Sequence, residues 1–183
     1  MPRCLPPPGL VTASGYDPTV PDAAVTLRPQ RPSDLPLLVG GDSPFDDFGP
    51  VAAGQHPAPS RMDDAGALTV VDETGQVAGD ISWHWRGWGP NAGSRCVMIG
   101  IWLRPDARGR GLGRLAQRRL AEMFFTHTRV NRVEAHTDVA NVAEQRALEA
   151  AGFTREGTTR GAQWRDGAYH DGYLYAVLRA DLA

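Results

Sequence analysis

The sequence predicts one α/β domain built on a mixed, mostly antiparallel central sheet with helices on both faces. Three observations point there. Strand-like apolar runs pair across tight turns at 68–71 with 77–85 and at 153–165 with 168–178, as antiparallel hairpins do. Between these pairs, helical periodicity at 115–128 and 141–150 alternates with strand-like runs, so the sheet is mixed. The length, 183 residues, suits a single domain with a core of its own.

In chain order, Val25 and Leu27 mark a short strand leading into Arg28-Pro29. Ser33 is placed to cap a helix beginning at Asp34-Leu35. Residues 40–66, rich in Gly, Pro and Asp and without periodicity, form a long loop, a feature that in compact domains is functional or disordered. Asp72-Glu73-Thr74-Gly75 joins the strands at 68–71 and 77–85, and a second turn at 87–94 leads to a strand at 95–103. After the helix at 115–128 comes a strand at 132–137. The next helix is capped by Asn141 and ends with Gly152 at its C′ position. The last two strands turn on Asp166-Gly167. Residues 1–24, proline-rich and lacking a signal-peptide core, are expected to form a mobile arm outside a domain of 25–183.

Composition excludes several function classes. A formal charge of −2 argues against a broadly cationic nucleic-acid binder. All 19 basic residues are arginine, so no lysine can form a Schiff base. Cys4 and Cys96 lie far apart, which argues against a structural disulfide and for a reducing cytoplasm. No apolar run is long enough to span a membrane. The five histidines lack ligand spacing with carboxylates or thiols, so no metal is expected.

The most specific local signal is the loop Arg108-Gly109-Arg110-Gly111-Leu112-Gly113-Arg114, set between the 95–103 strand and the following helix. A glycine-rich turn at a helix start offers unpaired N–H donors and the positive end of the helix dipole, an anion site suited to a pyrophosphate. A surface turn or an RNA contact is the alternative. Without Gly-Lys-Ser/Thr, a P-loop NTPase is disfavoured. The glycine spacing is not Gly-x-Gly-x-x-Gly, so a dinucleotide domain is disfavoured too. What remains is Arg108-x-x-Gly111-x-Gly113.

With these elements placed, the chain resembles the GNAT superfamily of acyl-CoA-dependent N-acyltransferases, and within it the branch of ribosomal-protein N-terminal acetyltransferases. The resemblance rests on four ordered motifs: the run Ile99 to Pro105 with its Arg108 loop; Asn131-Arg132-Val133-Glu134-Ala135; Asn141 through Gly152-Phe153; and Gly167-x-Tyr169-x-Asp171-x-x-x-Tyr175. It implies a GNAT-like fold and acetyl-CoA as co-substrate. Backbone N–H groups from Arg108 through Gly109, Arg110, Gly111, Leu112, Gly113 and Arg114 would hold the pyrophosphate. The pantetheine arm would lie along Ile101, Trp102 and Leu103. Asn141 would bond that arm, or serve simply as a helix cap.

The resemblance leaves the proton chemistry open. Acyl transfer needs a neutral amine, donors for the oxyanion and a proton for the thiolate. Glu144 stands where close relatives often carry a serine that is a candidate acid, and it serves here only if burial raises its pKa. Otherwise it is a solvated first-turn carboxylate. The tyrosine used in other branches would fall at Leu148, and Met98 takes the place of a frequent glutamate. His136 and Asp138, at the end of a strand near the expected thioester, are the other catalytic candidates, with ordinary strand packing as the alternative. Glu134 is expected to be a structural partner.

For the acceptor, the 40–50 loop offers Asp42, Phe45 and Asp46, suited to a cationic amine with an apolar body unless the loop is merely solvated. Trp83 and Trp85 either wall the acceptor pocket or belong to core and rim. The expected function is acetyl transfer to a primary amine, a small molecule being favoured over a protein N-terminus. The rival is a non-catalytic acyl-CoA-binding module. No nucleic-acid or membrane partner is expected, and the protein is expected to be a monomer or homodimer.

Overall fold

The alternating runs pair into one seven-stranded sheet in the computed structural model, which describes residues 25–40, 43–46, 48 and 56–182. The strands are β1 (Val25–Pro29), β2 (Gly66–Asp72), β3 (Val77–Gly87), β4 (Arg95–Leu103), β5 (Arg132–Asp138), β6 (Thr154–Arg165) and β7 (Ala168–Leu178). Their order is β1-β2-β3-β4-β5-β7-β6, and only β4 and β5 run parallel. Helix α1 (Leu112–His127) makes that parallel crossover, and α2 (Val142–Ala150) links β5 to β6. The sheet is mixed and mostly antiparallel, as the hairpin pattern predicts.

Side chains alternate across a strand, so one register sorts the residues into two faces. Ile81, Trp83, Val97, Ile99, Val133 and Ala135 point to the face covered by α1 and α2, where they join Leu112, Leu120, Phe124 and Leu148 in one buried cluster. Phe124 meets the rings of Trp83 and Trp85 edge-on, with centroids 5.6 and 6.0 Å away. Deleting such a fully buried aromatic costs about 3–5 kcal/mol. The other face carries Asp80, Ser82, His84, Met98, Gly100, Trp102, Glu134 and His136. The Asp34–Gly40 segment lies on that face. Asp34 accepts from Thr69 Oγ1 at 2.9 Å, and a Cβ built on Gly40 would stand 3.5 Å from Trp102 Nε1.

The helix expected after Ser33 is a correction. The segment forms only a 3-10 turn, Leu35–Leu37, and its cap residue is Asp34, whose side chain makes no cap bond. That carboxylate is committed elsewhere: Arg28 grips it at 2.6 and 2.9 Å, and the Arg31 N–H donates to it at 2.8 Å. These partners hold its pKa down at about 2. Helix α1 starts at Leu112, three residues before the periodicity suggests, because Gly111 at φ 78° turns the chain directly into the helix. The other boundaries fall close to expectation. Asp166 (φ 49°) and Gly167 (φ 69°) make the left-handed pair of a two-residue hairpin turn, and Gly152 (φ 97°) follows α2 as its left-handed stop. The arm 1–24 lies outside the described residues.

Candidate active site

β4 pairs with β3 along its whole length, from Arg95 opposite Gly87 to Leu103 opposite Gly79. Its pairing with β5 stops much sooner: Val97, Met98 and Ile99 face Val133, Glu134 and Ala135, and the two strands then part. Gly100, Ile101, Trp102 and Leu103 thus present a strand edge with no described strand beside it. Such an edge can accept an extended arm in the manner of an added strand. His136 is the first β5 residue past the fork.

The glycine loop sits at the end of that open edge. Gly109 and Gly111 have φ of 73° and 78°, and a Cβ on either would meet nothing within 4 Å, so conformation and not space demands glycine there. Leu112, Gly113 and Arg114 are first-turn residues whose N–H groups have no intrahelical acceptor; the Leu115 N–H closes the first bond, to Gly111 O at 3.3 Å. Two of the three loop arginines have partners within the fold, while Arg114 is exposed. Arg110 binds Asp72 at 3.0 Å and Glu73 at 2.9 Å, while Arg108 donates from Nε to Leu103 O at 2.9 Å. As an anion site, the loop would draw on backbone donors and the helix terminus, with Arg114 as the loop arginine not already paired among the described residues.

Two polar side chains bridge the helices beside this edge. Gln117 of α1, 1% exposed, donates from Nε2 to Gly113 O at 3.2 Å and also bonds the Glu144 carboxyl. Glu144, in the first turn of α2, is half-buried. Burial pushes its pKa up to about 7 against the opposing pull of the Gln117 bond. Burial thus outweighs the helix dipole that would keep a solvated carboxylate ionised. Asn141 caps α2, its Oδ1 accepting from the Glu144 N–H at 3.2 Å. That leaves its amide nitrogen as a donor for a second partner.

On the other face of the sheet, His136 is half-buried with Nε2 2.5 Å from Thr159 Oγ1, and that hydroxyl lies 3.1 Å from Gly172 O. Burial first, then the charge of Arg86, lowers its pKa below 6.5, with Asp138 pulling the other way. Asp138 itself is buried and committed: Arg165 pairs with its Oδ2, and its Oδ1 accepts from the Ala140 N–H at 2.6 Å. Arg165 also donates to Pro44 O and stacks over the Phe45 ring at 5.3 Å. Phe45 thus packs on a cation of the chain itself. Asp46 faces Arg108 at 4.0 Å, on the side of the glycine loop. Asp42 lies outside the described residues.

Trp83 and Trp85 occupy the core of their two readings. Trp83 is 3% exposed, and the indole N–H groups donate to Asp64 O at 2.7 Å and Met62 O at 3.1 Å, on the helix-covered face. Glu134 is structural, as expected: fully buried, it accepts from Trp88 Nε1 at 2.6 Å and Arg132 Nε at 2.5 Å. Sequence reasoning missed Asp80. It lies opposite Trp102 on the open face, and burial raises its pKa to about 6. A carboxylate at an outward position of an apolar strand was the available signal. It also missed Gln117, a polar residue in the apolar stripe of α1, and Thr159, which carries no signal in a strand. Among the described residues no cluster of His, Cys, Asp and Glu could hold a metal ion, and no helix is long and apolar enough to cross a membrane.

Residues 24–154 match the family description "Acetyltransferase (GNAT) domain". The chain belongs to the GNAT acetyltransferase family. Among curated relatives, it is 30% identical over 88 residues to "Putative ribosomal N-acetyltransferase YdaF" of Bacillus subtilis (strain 168), covering 48% of each chain. The chain thus spans about half the length of the curated relatives it matches. A solved spermidine N-acetyltransferase from Vibrio cholerae, in complex with CoA and spermine, superposes with a TM-score of 0.66 at 18% identity, covering 88% of this chain and 100% of that one. The ribosomal-protein-S5-alanine acetyltransferase of Vibrio fischeri superposes at 0.56 with 20% identity, over 66% of this chain and 65% of that one. At such identities these structures establish that the GNAT fold is shared.

Proposed function

We propose that this GNAT protein transfers an acetyl group from acetyl-CoA to a primary amine on a cationic small molecule. The observation that carries the reading is the fork between β4 and β5, which joins the donor loop at Gly109–Gly113 to an open strand edge and ends at His136. Residues on the two sides of the sheet divide the work. On the helix side, first-turn N–H groups bind the pyrophosphate and the edge of β4 pairs with the pantetheine arm, which acetyl-CoA supplies together with an activated acetyl. Glu144, its pKa raised to about 7 so that a large share stays protonated near neutrality, gives a proton to the departing sulfur. On the open face, His136 takes a proton from the amine, and Asp80 offers a negative charge to a cationic acceptor.

Burial works in opposite senses on the two groups, lowering His136 and raising Glu144, so neutral imidazole and protonated carboxyl coexist around pH 7. Delivering a neutral amine is the larger task. An amine of pKa ~10.4 requires about 4–5 kcal/mol for deprotonation at pH 7, whereas an α-amino group needs roughly 1 kcal/mol. A nearby base and a fixed negative charge help the first kind most. The small-molecule preference also fits the net charge of −2, which offers little to ribosomal RNA. The spermidine and ribosomal-protein acceptors named for the structural neighbours bracket the two acceptor classes.

Thiol release from acetyl-CoA, followed with a panel of mono-, di- and polyamines and N-terminal peptides, tests the proposal. We expect turnover with cationic small amines and a product heavier by one acetyl group. Tight acetyl-CoA binding with no turnover on any amine would sink the enzyme reading and leave a binding module.

A further inference from the structure

Building on the reading in which His136 accepts the amine's proton, we infer that Thr159 and Gly172 lock His136 as its Nε2–H tautomer and reserve Nδ1 as the basic atom. The bond pattern leaves one consistent arrangement. Gly172 O accepts only, so a hydroxyl 3.1 Å from it must donate to it or face it lone pair to lone pair. If Thr159 instead donated to the imidazole, two oxygens would confront each other without a proton between them. With the Thr159 hydroxyl spent on Gly172 O, its oxygen accepts, and His136 Nε2, 2.5 Å away, must carry a hydrogen. The same arrangement holds for the neutral and the charged ring. Proton uptake therefore occurs at Nδ1 and breaks no bond.

Gly172 also supplies the surface on which the ring lies. A Cβ at this position would stand 2.1 Å from both Cε1 and Nε2 of His136, so any side chain displaces the ring. Gly172 is buried and its backbone pairs with Asp138 of β5 and Thr159 of β6, which places it between the two strands that set the ring's angle. The charged groups acting on the ring are Arg86 from β3, which opposes protonation, and Asp138 from β5, which favours it. Arg165 already pairs with Asp138. From β6 and β7 come Thr159, Gly172 and the register partner Leu174, none of them titratable. In the transfer, the amine nitrogen bonds to the acetyl carbon, the carbon–sulfur bond breaks, and sulfur leaves with the electron pair and takes the Glu144 proton. The proton shed by the amine goes to Nδ1. Thr159 and Gly172 act through the His136 ring. They are positioning residues.

Nitrogen-15 NMR of the imidazole rings tests this without turnover, the His136 signals being assigned by their loss in His136→Gln. Wild type should show the Nε2–H tautomer above pH 7, Thr159→Ser should keep it, and Thr159→Val should give a mixture. In steady state Thr159→Val should lower kcat about tenfold with the acetyl-CoA KM unchanged, and should shift the acidic limb of the pH profile. Thr159→Ser should restore both. An Nδ1–H tautomer in wild type overturns the inference even if Thr159→Val does not fold. So does a Thr159→Val protein matching wild type in spectrum and kcat. Absence of turnover on every amine, with the Nε2–H tautomer in place, would defeat the acetyl-transfer reading and leave the tautomer assignment standing.

Discussion

At Glu144 burial sets the carboxyl's contribution to stability and, in the proposed reaction, to rate. The folded carboxyl holds its proton up to about pH 7, against 4.5 for the ordinary group. Stability from this group is therefore complete below 4.5 and is lost as pH rises towards 7, where an ionised, half-buried carboxylate must be carried. Glu144→Gln removes that cost. Its melting temperature should rise relative to wild type between pH 4.5 and 7, by a free energy on the order of 1–3 kcal/mol. Its kcat should fall about 10–100-fold and lack the decline above pH 7 expected of wild type. Equal pH dependence of melting in the two proteins would refute the buried-acid assignment. Asp80 makes the matching statement about the acceptor. Asp80→Asn should raise the KM of a cationic amine roughly tenfold and leave that of acetyl-CoA alone. An unchanged amine KM would remove Asp80 from the acceptor face.

Among the elements, the glycine loop separates folding from binding within three residues. Gly111 stands at φ 78°, so Gly111→Ala forces a left-handed alanine and should cost about 1–2 kcal/mol in denaturant unfolding. Gly113 is helical, and a Cβ there would meet Leu103 Cδ1 at an ordinary 3.6 Å. Gly113→Ala should leave the fold intact or stabilise it by up to ~1 kcal/mol, yet weaken acetyl-CoA binding by crowding the pyrophosphate approach. Calorimetric titration with acetyl-CoA beside a urea melt distinguishes the two variants. The hairpin of β6 and β7 is tied down through Arg165, which reaches Asp138, Pro44 and Phe45 together. Arg165→Met leaves Asp138 buried without its counter-charge and should destabilise the fold by about 3–5 kcal/mol, read as a lower urea midpoint.

What the sequence revealed at this scale followed from local chemistry. Asn141 and Gly152 bracket α2, Asp166-Gly167 turns the last hairpin, and the alternating runs become strands, because caps, turns and alternation act between near neighbours in the chain. The expected helix at Ser33 failed because Asp34 is drawn away by Arg28 and Thr69, partners that local pattern does not count. Trp83 and Trp85 sat on either face until the register fixed them opposite Ile99 and Val97. Thr159 acquires its place from a pairing with β7 and a contact with β5, neither visible in a strand sequence.

For the whole molecule, the proposed reading uses the fork between β4 and β5 to give the two substrates separate faces. The helix-covered face holds the glycine loop, Gln117 and Glu144, the groups proposed to act on the donor. The open face holds Asp80 and His136, proposed to act on the acceptor. The donor half was the more legible in the sequence, since a glycine-rich turn before a helix is contiguous in the chain. The acceptor half is assembled from β3, β5, β6 and β7, so no single segment announces it. A crystal structure with acetyl-CoA bound tests this division most directly. The account predicts the pyrophosphate on the N–H groups from Gly109 to Arg114, the pantetheine arm along Gly100 to Leu103, and the acetyl carbon in the fork facing His136. Cofactor density away from that edge, or an acetyl group turned from His136, would contradict it.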